Sequence, residues 1–105
     1  MQLHVSTGDG VPIYLQIANQ VKYLVASGRL APGDEIPPIR VLARQLLVNP
    51  NTVARAYLEL EREGVVEKRH GSGTYISAAG SPLARKERLK ILTERVDALL
   101  AEGLR

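Results

Sequence analysis

The side chains here that can do chemistry are hydrogen-bond donors and cations rather than nucleophiles or metal ligands. Asn49, Asn51, Thr52 and Arg55 crowd into one short stretch, Arg40 precedes them, and Lys68, Arg69, His70 and Gly71 form a second group. Asn can pair bidentately with adenine, Arg with guanine, and either cation with phosphate, so these groups suit a nucleic-acid duplex. Catalytic alternatives lack partners. Asp34-Glu35, the only adjacent carboxylate pair, has no His, Cys or further acid nearby in the chain, which favours a solvated or helix-capping role over a metal or a shared proton. The only other imidazole available to His70 is that of His4, and Cys is absent, so no metal site is expected. Gly71-Ser72-Gly73 separates two β-rich runs instead of joining a strand to a helix, and is no dinucleotide fingerprint. Without a nucleophile and base or a Schiff-base lysine pocket, no catalytic residue and no cofactor is expected.

Two helices joined by a tight turn, over residues 38–64, must position the first group. Asn49 can cap the second helix, and Pro50 fits its first position. Helical projection puts Val53, Tyr57 and Leu60 on an inner stripe and turns Asn51, Arg55 and Arg62 outward. In the preceding helix Pro38 suits the first position, Ile39, Leu42, Ala43 and Leu46 face inward, and Arg40 and Arg44 lie on another face. Arg40 falls in the first turn, where the helix dipole disfavours a cation, which leaves it either a partner to a phosphate or base or an exposed, solvated arginine. The arrangement is that of a helix-turn-helix.

The flanking segments read as support. Leu3–Val5 alternates enough for a short edge strand, and Pro12 opens a helix to about Ser27. That helix has Ile13, Ile17, Val21 and Leu24 inside, broadened by Tyr14, Ala18 and Val25, with Gln16, Asn19 and Lys22 outside. Gly28 ends it, and Leu30-Ala31-Pro32-Gly33 makes a type II turn. After Gly64, Val65–His70 and Thr74–Ser77 form a hairpin. Behind a helix-turn-helix this is a wing, whose Lys68, Arg69 and His70 can lie along phosphates while Gly71 lets backbone approach closely. The expected fold is mostly α with a small β-hairpin, a winged helix-turn-helix over residues 1–77 followed by a C-terminal dimerisation helix over 78–105.

That last segment begins with Ala78-Ala79-Gly80 as linker, Ser81 as N-cap and Pro82 at the first position. Leu89, Leu92, Val96, Leu99 and Leu100 recur at helical steps. A complete winged domain leaves such a stripe little to cover, so it is expected to pair with a second subunit, packing back on the domain being the alternative.

Composition agrees. The 105 residues amount to one domain, and 45% hydrophobic residues suffice to fold it. Lacking Phe and Trp, with 4% aromatic residues, the core is small and gains from a homodimer. The net charge is +3, and its basic excess begins only at residue 39, where the proposed reading head begins. No run approaches the roughly 18 apolar residues of a membrane span, and the first residues lack signal-peptide regions. A cytoplasmic protein without a membrane partner is expected.

The motifs Pro37-Pro38-Ile39-Arg40-Val41-Leu42-Ala43, Val48-Asn49-Pro50-Asn51-Thr52-Val53, Ala56-Tyr57-Leu58-Glu59-Leu60-Glu61-Arg62-Glu63-Gly64 and Arg69-His70-Gly71-Ser72-Gly73-Thr74-Tyr75 share an order and spacing that resemble the GntR family of bacterial transcription regulators. The resemblance covers about residues 11–77, and Pro12-Ile13-Tyr14 with Gln16-Ile17 resembles the YtrA-like branch in particular. It implies a double-stranded DNA operator as partner, DNA contacts at Arg40, Asn49, Asn51, Thr52, His70 and Gly71, and a short helical tail used for dimerisation. It also implies a repressor of a small operon, a transporter operon in this branch, regulated either through the dimer helices and the linker or through a small-molecule effector of unknown identity bound between subunits. Pro38 replaces a common Ser, and Pro50 stands where other branches carry Arg, so base reading falls to Asn49, Asn51 or Arg55. Relatives continue into a further short helix where this chain stops at Arg105. Two other readings are a winged-helix protein-interaction module without DNA and the detached N-terminal domain of a PLP-dependent regulator.

Overall fold

Apolar residues at three- and four-residue steps build three helices around one core in a computed structural model, which describes residues 1–8, 10–69 and 71–78. In chain order the elements are α1 (Ile13–Ala26), β1 (Glu35–Ile36), α2 (Ile39–Leu46), α3 (Pro50–Arg62), β2 (Val66–Lys68) and β3 (Thr74–Ile76). Helix α3 packs against both α1 and α2. Ile17 and Val21 of α1, Leu42 of α2, and Val53 and Leu60 of α3 are fully buried together with Ile36, Val65 and Ile76. The inner stripes expected of α2 and α3 are therefore the buried ones, with Ile39 and Leu46 partly covered at the margin.

All three helices end on a residue of left-handed backbone. At Gly28 (φ +83°) the Arg29 N–H donates to the Leu24 carbonyl over 2.9 Å, and the Gly28 N–H to Val25 over 3.1 Å. Gly64 (φ +75°) ends α3 similarly, with the Val65 N–H donating to Leu60 over 2.9 Å. Helix α2 uses the same termination without a glycine: Leu47 has φ +57°, and the Val48 N–H donates to Ala43 over 3.0 Å. A side chain with a Cβ in this conformation costs about 1–2 kcal/mol.

The expected hairpin is part of a three-stranded antiparallel sheet of order β1-β3-β2. Glu35 lies opposite Tyr75, and Val66 opposite Ile76. The Ala31–Asp34 turn delivers β1, with Pro32 and Gly33 (φ +89°) at its centre and the Asp34 N–H donating to Ala31 over 3.0 Å. The Asp34 carboxylate accepts from the Ala31 N–H over 2.8 Å, so this acid closes a turn instead of capping a helix.

The N-terminal segment corrects two expectations. Leu3–Val5 is no strand, although Leu3 is buried. Gln16, expected to face solvent, is 9% exposed. Its Oε1 accepts from the Ser6 N–H at 2.8 Å, and its Nε2 donates to the carbonyls of Ser6 at 2.7 Å and Val11 at 2.9 Å. One turn on, the Gln20 amide likewise accepts from the His4 N–H and donates to its carbonyl. A primary amide presents the same donor and acceptor as a peptide group, so two glutamines of α1 replace the neighbouring strand.

Candidate nucleic-acid interface

The start of α3 is built as expected. Asn49, in extended conformation (φ −66°, ψ 133°), precedes Pro50 at the first helical position, and its Oδ1 accepts from the Asn51 N–H at 2.7 Å. The cap engages and orients the oxygen that a bidentate adenine pair would use, while the Asn49 Nδ2 makes no hydrogen bond among the described residues. Of the two amides, Asn51 is the one with both functions open. Thr52 is half-buried beside it, and Asn51 and Arg55 are exposed.

Arg55 is not extended into solvent. Its guanidinium carbon lies 3.9 Å from the centroid of the Tyr14 ring, a cation–π contact that joins α3 to the first turn of α1. Asn49, Asn51, Thr52 and Arg55 line one shallow depression together with Ile13 and Tyr14. Sequence reasoning missed Tyr14 as a site residue. Its helical phase placed it beside the inner stripe, and nothing in spacing along α1 reveals a partner on α3.

Arg40 stands exposed in the first turn of α2 and borders an adjacent depression with Ala43, Arg44, Leu47, Val48 and Pro50. Its helix start is held from behind by Tyr57, whose hydroxyl donates to the Pro37 carbonyl over 2.6 Å. Burial of that phenol, 3% exposed, pushes its pKa well above the ordinary value. Neither Arg40 nor Arg44 has an ion-pair partner among the described residues.

Lys68, Arg69 and Gly71 line neither depression. Lys68, at the end of β2, is exposed and has no ion-pair partner among the described residues. Arg69 folds back on the sheet, its guanidinium carbon 4.2 Å from the Tyr75 ring centroid and Nη2 3.9 Å from the Glu67 carboxylate. Gly71 has φ +70°, a backbone that favours glycine. His70 lies outside the described residues, as do Leu89, Leu92, Val96, Leu99 and Leu100.

A helical pair with a capped second helix, amide and guanidinium groups on the outer face of that helix, and a small antiparallel sheet behind it define a winged helix-turn-helix regulator. The pattern described as "Bacterial regulatory proteins, gntR family" matches residues 13–76. The HTH-type transcriptional repressor YtrA of Bacillus subtilis (strain 168) is 38% identical over 101 residues, spanning 96% of this chain and 78% of its own. YhcF of the same organism, an uncharacterized HTH-type transcriptional regulator, is 45% identical over 93 residues, spanning 89% and 69%. Among solved structures, YtrA from Sulfolobus acidocaldarius, a GntR-family transcription factor, matches with a TM-score of 0.69 at 34% identity, covering 91% of this chain and 97% of that one. The chain belongs to the GntR family of bacterial regulatory proteins. It is a DNA-binding transcription regulator and not an enzyme. No helix among the described residues is long and apolar enough to cross a membrane.

Proposed function

We propose that the chain is a homodimeric, cytoplasmic repressor that places the start of α3 in the major groove of each half of a near-palindromic operator. The observation that carries this reading is the depression at that helix end, where Asn51, Thr52 and Arg55 surround a capped N-terminus with the Asn49 cap. Asn51 pairs with adenine, Arg55 leaves Tyr14 to pair with guanine, and Arg40, Lys68, Arg69, His70 and Gly71 engage the flanking strands. The stripe Leu89, Leu92, Val96, Leu99 and Leu100 joins two copies, which sets the half-sites about one helical turn, roughly 34 Å, or a multiple apart. The regulated unit is a small operon, of transporter type by analogy with the YtrA-like branch, and a small molecule acts as effector.

Titration of genomic fragments in a gel-shift assay, followed by footprinting of the retained fragment, tests this. Salt-sensitive binding with a preferred, two-fold site is expected; absence of any sequence preference at low and moderate salt sinks the proposal. Arg55→Ala should weaken operator binding by about 1–3 kcal/mol while leaving random DNA nearly unaffected. An equal loss on both would make it a phosphate contact only.

A further inference from the structure

Leu47 is the most exposed large hydrophobic residue described, at 91%, and its φ of +57° is left-handed, as are those of Gly28 (+83°) and Gly64 (+75°) at the ends of the other two helices. An exposed leucine stabilises nothing in the isolated domain, and at this position it strains the backbone as well. Its neighbours indicate what it meets. Arg40, Ala43, Arg44 and Leu47 follow one another at the steps that keep residues on one helix face, and they line a single shallow depression with Val48 and Pro50. Ala43, 3% exposed, forms its floor. Two cations without ion-pair partners among the described residues therefore share one depression with an apolar knob at the threshold of α3.

Positive groups beside an exposed apolar one suit a sugar–phosphate strand, which offers anionic oxygens separated by the apolar faces of deoxyribose. From Arg40 to Leu47 the chain advances about 10 Å along α2 and its cap, enough to reach past a single phosphate of one strand. We propose that Arg44 and Leu47 extend the DNA interface along α2, Arg44 meeting a phosphate and Leu47 a deoxyribose face on the strand that Arg40 approaches. The assignment rests on the DNA-binding reading above. It makes both residues contributors to affinity that are blind to sequence, and places the strain at Leu47 where DNA contact offsets it.

The test compares the full chain with L47G, L47N and R44A on two probes, the retained genomic fragment and a mixed-sequence duplex of about 25 base pairs, across a salt series. Gly and Asn both accept left-handed backbone, so L47G and L47N should keep or raise Tm. Each should weaken binding about three- to tenfold, by the same factor on both probes and with the salt dependence unchanged. R44A should reduce the slope of log affinity against log salt by about one. A loss at Leu47 confined to the genomic fragment would overturn the assignment in favour of a base contact. Wild-type affinity in both L47G and R44A would overturn it outright while leaving the DNA-binding reading intact. If the unsubstituted chain binds neither duplex in a salt-sensitive way, that reading falls first.

Discussion

Tyr57→Phe removes one oxygen from the centre of the domain and should be felt in both stability and pH dependence. The hydroxyl donates to the Pro37 carbonyl over 2.6 Å, just ahead of α2 and its Arg40. No cavity opens, because the ring stays. The loss is a hydrogen bond with a net worth of about 0.5–1.5 kcal/mol, plus part of the penalty for a carbonyl left short of a donor, against relief of burying the hydroxyl. About 1–2 kcal/mol is expected, at about 4–8 °C of Tm per kcal/mol for a domain of this size. Urea unfolding should give a lower midpoint at an unchanged slope. The pH profile supplies the second readout. The phenol's pKa is raised by burial, so above its ordinary value of about 10 the unfolded chain releases the proton first. Stability contributed by the protonated phenol is thus present below pH 10 and lost as pH rises beyond it; in Tyr57→Phe that share of the alkaline loss should vanish. A variant as stable as the parent at neutral pH, with the same alkaline decline, would refute the reasoning.

Three further outcomes are expected. Gln16→Leu leaves the Ser6 N–H and the Ser6 and Val11 carbonyls without their amide partner; it should cost about 1–3 kcal/mol and speed amide exchange at Ser6, and unchanged exchange there would contradict the clamp. Asn49→Ala should destabilise by about 1 kcal/mol through loss of the α3 cap, whereas Asn49→Ser recovers most of it, as chemical denaturation would report. On random DNA, Lys68→Ala should lower the salt slope by about one, while Arg69→Ala, whose side chain is stacked on Tyr75 and near Glu67, should change it less; equal changes would show that Arg69 leaves the sheet.

The sequence by itself determined the elements that depend on local rules. Helical periodicity marked the inner faces of α2 and α3, and the Asn49-Pro50 pair marked the start of α3, because a cap and a first-turn proline act within a few residues of themselves. Gly28 and Gly64 marked helix ends for the same reason. The two β-rich runs around Gly71-Ser72-Gly73 marked the wing, and the motif order carried the family. What only the tertiary structure decided involves partners far apart in the chain. Strand β1 is two residues between a turn and two prolines, with no periodicity to read, and exists because β3 offers it an edge. Gln16 looks polar and therefore exposed until the N-terminal backbone comes to lie against it. Arg55 points outward on a helical wheel, yet it rests on Tyr14 of a helix that runs alongside. The left-handed backbone of Leu47 escapes sequence rules altogether, since those rules expect glycine there. Periodicity fixes which face of a helix is buried; only packing fixes what each exposed side chain finds beside it.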